Sequence, residues 1–260
     1  MKFGFIAKIT TALAILICIL SVIKAQTNRV QVENDMPVVK KQALPSKDVI
    51  PAFSAMTNVV EKKKAFFKFI QPGIARANRS IALDRQLILD LKSRLSETEQ
   101  PPLRYFVLLK NYKVSSTDFN VETIDKLLER LDTIPQSLIM IQAANESGWG
   151  TSRFARLGLN FFGQWCFKKG CGLIPSDRNT DAGHEVKVFN SVYDSINSYL
   201  KNLNTHPAYQ HLRDVRSQLR KRNEPVTAEK LAQGLTSYSE RGEDYVLDIL
   251  TMLRQNKAYL

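Results

Sequence analysis

The sequence predicts a mainly α protein, α+β in detail, in which a helical domain carries a small β-hairpin lobe. Apolar residues recur at helical spacing through most of the chain beyond residue 49. One segment breaks that period: Gly170, Gly172, Pro175 and Gly183 punctuate short extended runs that end in 185–189. The length, 260 residues, suits one domain of about 150 residues with a helical extension and a leader. No internal repeat or low-complexity tract appears.

Lys2 and Lys8 precede an apolar run of 15 residues, Ile9 to Ile23. That length fits the core of a signal peptide and is short for a membrane span. Residues 1–25 are therefore expected to direct export. Ala25 suits the position before cleavage, but Ile23 does not suit the position two before it, so an uncleaved anchor holding residues 3–23 in a membrane stays open. Cys18 lies within the apolar run. Residues 26–48 are polar, contain Pro37 and Pro45 and read as a linker. A helical N-terminal region, 49–117, follows, with helices predicted over 59–70 and 81–95. The main domain, 118–258, opens with an amphipathic helix over 121–131.

The next helix is the most informative element. Thr133 or a neighbour is available as its cap, Pro135 suits its first turn and Gly148 its left-handed stop, so it is expected over 135–147. Glu146 falls in its last turn, on the face of Ile139 and Ala143. Burial and the negative end of the helix dipole both favour the neutral acid there. A short helix over 151–156, capped by Thr151 or Ser152 and stopped by Gly158, comes next. After the lobe, helices return over 192–203, 208–219, 228–235 and 245–256.

The run Glu146-Ser147-Gly148-Trp149-Gly150-Thr151-Ser152-Arg153, followed by Asn160-Phe161-Phe162-Gly163, resembles the signature of the bacterial N-acetylglucosaminidase domain of peptidoglycan hydrolases. The longer match is to the Bax-type proteins of Gram-negative bacteria. It runs through Trp165-Cys166-Phe167, Gly170-Cys171-Gly172, Tyr238-Ser239-Glu240-Arg241-Gly242 and Tyr245, and covers roughly residues 48 to 258. The resemblance implies a lysozyme-like fold with a cleft and a glycoside hydrolase of the endo-β-N-acetylglucosaminidase type, acting on peptidoglycan glycan strands in the periplasm. A membrane association there would be with the inner membrane.

Glycoside hydrolysis needs an acid at the leaving oxygen and a second group that stabilises or attacks the oxocarbenium-like centre. Glu146 is the expected proton donor. The resemblance implies a second acidic residue opposite it, at Glu185, with Asp177 and Asp181 as alternatives, and a catalytic tyrosine at Tyr238. Assistance by the substrate's own N-acetyl group would relax the demand for a second carboxylate. Ser147, Trp149, Asn160, Phe162, Gly163, Trp165 and Tyr193 complete the expected substrate-binding set, Phe162 and Trp165 as rings for sugar faces. A lytic transglycosylase of the same fold and a catalytically idle wall-binding scaffold are the competing readings.

The net charge is +12, and +9 once Lys2, Lys8 and Lys24 are set aside, with 34 basic residues remaining against 25 acidic. A basic exported protein is drawn to polyanionic cell wall. Arg213, Arg216, Arg220, Lys221 and Arg222 form the densest basic run, but no nucleic-acid-binding motif accompanies it, so no specific nucleic acid is expected. Cys166 and Cys171 are the only cysteines outside the leader, and an oxidising compartment predicts a disulfide between them. Two thiols without a second pair make an incomplete zinc shell, and His184, His206 and His211 lack ligand spacing; neither metal nor cofactor is expected.

Overall fold

A computed structural model describes residues 49–98, 100–175 and 184–260. The expectations for the leader and linker, and for Asp177 and Asp181, fall outside these residues. The described residues belong to one compact unit, 47–260. None of their helices is long and apolar enough to cross a membrane.

A 3-10 turn, Phe53–Ala55, leads into α1, Val59–Ser93, whose first turn is capped by Asn58 accepting from the amides of Val60 and Glu61. The sequence pattern predicts two helices here, but α1 is continuous through Pro72. Its buried stripe explains the difference. Phe66, Phe67, Ile70, Ile74, Ala77, Ile81, Ile88 and Leu91 keep one face apolar on both sides of the proline, and burial of that face outweighs local propensity. The stripe packs against the central helix α4, Gln136–Ser147, and against α6, Val192–Thr205. At Gly73 a Cβ would lie 2.7 Å from Ile196 Cδ1, so the side-chain-free position lets α1 and α6 approach.

Between α1 and α4 lie α2, Leu103–Asn111, and α3, Val121–Arg130, the latter capped by Asn120. Residues 138–144 of α4 are all buried. A helix buried on every face and apolar there except for Gln142 belongs in the middle of a fold, and this one is surrounded by α1, α8 (Ala228–Ala232) and α9 (Glu243–Gln255). Its N-terminus begins after Pro135 without a side-chain cap, so neither Thr133 nor a neighbour caps it as expected. The C-terminus follows expectation: Gly148 has φ +55 and its amide, with that of Trp149, closes the last turn.

The short helix α5, Arg153–Gly158, is capped by Ser152. Its left-handed stop is Leu159, φ +51, rather than Gly158. The lobe is a three-stranded antiparallel sheet, more than a hairpin, in which β3 (Glu185–Lys187) runs between β1 (Trp165–Cys166) and β2 (Gly172–Leu173). Trp165 and Leu173 both pair with Val186. Any side chain at Gly172 would collide with the backbone of Val186, whose oxygen lies 2.1 Å from the Cβ position. Cys166 and Cys171 are joined by a disulfide, with Cα atoms 6.3 Å apart.

The last layer is α6, α7 (Gln210–Lys221), α8 and α9. The basic run on α7 does not form one exposed patch. Arg213 and Arg216 are each only 1% exposed, and Arg220 forms a two-pronged contact with Asp132 at 3.0 and 3.1 Å. Lys221 and Arg222 are exposed at the end of the helix, where Arg222 lies 4.0 Å from Glu224 Oε1. The helical period places three of its arginines on the inward and flanking faces of α7, where Asp132 and backbone carbonyls receive them.

Candidate active site

The last turn of α4 delivers Glu146 to a cleft of about 1050 Å³ between the helical body and the sheet lobe. That volume is at the upper end for a small-molecule site and suits an oligomer. Ser147 fixes the exit from the helix: its hydroxyl donates to Ala143 O at 2.6 Å and accepts from Gly150 N at 2.8 Å. Gly150, φ +77, has Phe53 where a Cβ would be, 2.5 Å away, so the turn after Glu146 is pressed against the aromatic start of the extension.

The two oxygens of Glu146 have different surroundings. Oε1 accepts from the Tyr245 hydroxyl at 2.9 Å and from Asn145 Nδ2 at 3.2 Å. Oε2 faces Gly163, whose Cβ position lies 3.6 Å from it. Burial pushes the carboxyl above the ordinary glutamate range, and the bonds from Tyr245 and Asn145 pull partly back. The tyrosine is itself held. Gln142 Nε2 donates to the Tyr245 oxygen at 3.0 Å, and Gln142 Oε1 accepts from Tyr199. With its oxygen already accepting, Tyr245 turns its own proton toward Glu146. Burial and the nearby Glu146 carboxylate raise its pKa far beyond the ordinary phenol value, so it stays a donor.

Aromatic rings line the cleft on both sides of this carboxyl. Phe162 stacks on Tyr199 at 4.1 Å and Tyr238 on Tyr245 at 5.3 Å. Tyr238 donates to Phe162 O at 3.1 Å, joining the loop after α5 to the segment before α9. Trp165 is 56% exposed and stacks on His184 at 4.1 Å, with Phe167 exposed beside it on the cleft wall.

The structure thus brings Glu146, Tyr238, Phe162, Gly163 and Trp165 to one cleft. Other expected site residues lie elsewhere. Glu185 is buried, and its two oxygens accept from Gly170 N at 2.9 Å and Gly172 N at 2.8 Å. It therefore holds the loop that carries Cys171, and it is not among the residues lining the cleft. Its carboxylate lies within 4.8 Å of both cysteine sulfurs, but those sulfurs are bonded to each other. Ser147 is fully buried in the helix exit. Trp149 packs edge-on against Phe66 and Phe67 under the Lys63 ammonium, away from the cleft. Asn160 is buried and ties its loop together: Nδ2 donates to Gln164 O and Lys187 O while Oδ1 accepts from the amides of Phe162 and Gln164. Tyr193 lies under the Arg76 guanidinium, 4.2 Å from its ring, on the side of α6 that meets α1.

Sequence reasoning missed Gln142, Tyr199 and Tyr245 as site residues. Gln142 carried a legible signal, because a polar residue four positions before Glu146 in an otherwise apolar helix shares its face. Tyr245 was legible only as part of the Bax-type resemblance, with no role attached, because 99 residues separate it from Glu146.

Residues 121–258 match the family model described as "Glucosaminidase: Mannosyl-glycoprotein endo-beta-N-acetylglucosaminidase". The chain is 37% identical over 204 residues to "Protein bax" of Escherichia coli (strain K12), a match that covers 76% of this chain and 71% of that protein. No solved structure matches. The matched span includes Glu146, Tyr245 and every cleft residue named above: the chain belongs to the glucosaminidase family and is a homologue of Protein bax.

Proposed function

We propose that the protein is an exported peptidoglycan hydrolase that cleaves the glycan strand at N-acetylglucosamine, with Glu146 as the proton donor. The observation that carries the reading is the asymmetry of the Glu146 carboxyl. With two donors on Oε1, the acid proton resides on Oε2, the oxygen that faces the cleft. A glycosidic oxygen bound there takes that proton as its bond to C1 breaks, and Glu146 is left as the carboxylate that Tyr245 and Asn145 stabilise. Partial burial supports the protonated starting state.

The second half of the reaction is assigned to the substrate. Besides Glu146, the described lining contains one carboxylate, the exposed Glu240, while both Glu185 oxygens are occupied by backbone amides. Attack by the 2-acetamido oxygen on C1 expels the leaving group as Glu146 protonates it; water then attacks C1, giving its proton to the Glu146 carboxylate, which restores the acid without a second carboxylate and retains the anomeric configuration. Trp165 and Phe167, both exposed, offer rings to the apolar faces of successive sugars, while the buried Phe162 packs against Tyr199. The apolar run near the N-terminus and the positive charge fit a periplasmic protein acting at the wall, held by residues 3–23 if they are not cleaved.

Digestion of purified sacculi, with the released muropeptides read by mass spectrometry, tests the reading. Fragments with N-acetylglucosamine at the new reducing end support it. Anhydro products would indicate a lytic transglycosylase, and no release by the folded protein would indicate a wall-binding scaffold.

A further inference from the structure

Two lysines, Lys113 and Lys201, line the cleft together with Asn202, Thr205 and His206. Lys113 comes from the N-terminal region, outside the span 121–258 that matches the family model. Its backbone is left-handed, φ +55, a conformation an L side chain rarely adopts. Arg130 Nη1 pins that turn, donating to Tyr112 O at 3.0 Å and Lys113 O at 2.6 Å. Lys201 is a close neighbour of the same turn. It borders a smaller cavity of about 240 Å³ with Asn111 and Tyr112, the two residues before Lys113. Among the described residues neither ammonium has a carboxylate within ion-pair distance, whereas Arg241, also in the cleft, is paired with Asp248 at 2.7 Å.

These two ammonium groups, unlike that of Lys187, which also lines the cleft but lies over the Phe189 ring at 4.8 Å, have no complement in neutral N-acetylhexosamines. We infer that Lys113 and Lys201 form a subsite for a carboxylate-bearing substituent of the glycan, the peptide stem carried by alternate sugars. The inference rests on the proposed wall-glycan substrate. It makes the protein selective for stem-bearing strands over bare ones, because a stem carboxylate placed between the lysines gains two charge-assisted contacts that a bare strand lacks. Pinning the Lys113 turn with Arg130 pre-arranges one of those charges before the ligand arrives.

Binding tests this without turnover. The Glu146→Gln protein is titrated calorimetrically with glycan oligosaccharides bearing intact stems, with the same oligosaccharides after enzymatic removal of the stems, and with stems whose carboxylates have been converted to amides. The titrations are repeated with Lys113→Gly, which keeps the left-handed turn, and Lys201→Ala added singly and together. Intact stems are expected to bind on the order of tenfold tighter than either control at low ionic strength, with the preference shrinking as salt rises. The double substitution should bring the ratio to within about twofold of unity. Equal binding of intact and stem-free glycans, a preference that survives amidation, or one that survives the double substitution in a normally folded protein would overturn the proposal. Release of reducing ends by the wild-type enzyme is scored separately, so failure of the hydrolase reading is distinguishable from failure of the subsite.

Discussion

The Tyr245 hydroxyl lies 2.9 Å from Glu146 Oε1 and is itself oriented by Gln142 Nε2 at 3.0 Å. A side chain on α9 thereby decides which oxygen of a carboxyl on α4 carries a proton. The arrangement works only while the phenol remains a donor, and its strongly raised pKa keeps it so at every working pH.

Replacing Glu146 by Gln removes the acid while keeping an oxygen for Tyr245. Wall lysis should fall at least about a hundredfold. Stability should respond in the opposite sense. Because the folded-state pKa of Glu146 is raised, its contribution to stability is present at low pH and lost as pH rises through that value. The glutamine protein should accordingly be at least as stable as the wild type above neutrality. Lysis assays beside denaturant melts at pH 5 and pH 8 check both; a folded variant with near-normal lysis would remove Glu146 from the mechanism.

Tyr245→Phe deletes the bond that favours the ionised form of Glu146, so the carboxyl pKa should rise further. Activity that depends on the protonated acid falls as pH passes that pKa, and its alkaline limb should therefore move to higher pH, with a loss of about tenfold or more at the optimum. A pH profile of kcat/KM distinguishes this from a packing defect, which would lower the profile without moving the limb. Gln142 Nε2 is left without its acceptor, so a stability loss of about 1–3 kcal/mol is also expected.

Glu185→Gln leaves one of the amides of Gly170 and Gly172 without an oxygen acceptor, and loosening of the lobe should cost about 1–3 kcal/mol. Its effect on lysis should appear mainly in KM and stay far smaller than that of Glu146→Gln. Proton NMR of early product should show a retained anomer. An inverted product, with kcat reduced as deeply as by loss of Glu146, would restore the base role expected from the sequence. Reduction of the Cys166–Cys171 disulfide should loosen the same loop, and alkylation mass spectrometry on protein isolated from an oxidising compartment should find no free thiol at either position.

Asp132→Asn should be the most destabilising of these substitutions. Burial alone would raise the Asp132 carboxyl, but Arg216, Arg220 and Arg85 outweigh it and hold the pKa below the usual range. The stabilisation is therefore fully present above the unfolded-state value near 3.9 and lost as pH falls through the lower folded-state one. Removing the charge leaves Arg216 buried without its counter-ion, at about 3–5 kcal/mol. Urea unfolding at pH 7 measures the loss, and the wild-type advantage should narrow in melts at progressively lower pH.

The sequence by itself determined the helical body, the position of the lobe and the placement of Glu146 at a glycine-stopped helix end. Each follows from patterns within a few residues: apolar period, glycine and proline punctuation, and the left-handed Gly148. Tertiary structure decided which polar residues meet. Glu185 reads as an acid at a strand start, but the tight turn at Gly170–Gly172 turns two amides onto it. Trp149 follows Glu146 by three residues and resembles a cleft aromatic, yet the left-handed turn at Gly148 sends it under α1. Tyr245 and Gln142 become partners of the acid only because α9 packs on α4, and Lys113 reaches the cleft only because Arg130 holds a left-handed turn. Short-range patterning fixes backbone and burial, while convergence of side chains from distant segments depends on how the elements pack, which no local period encodes.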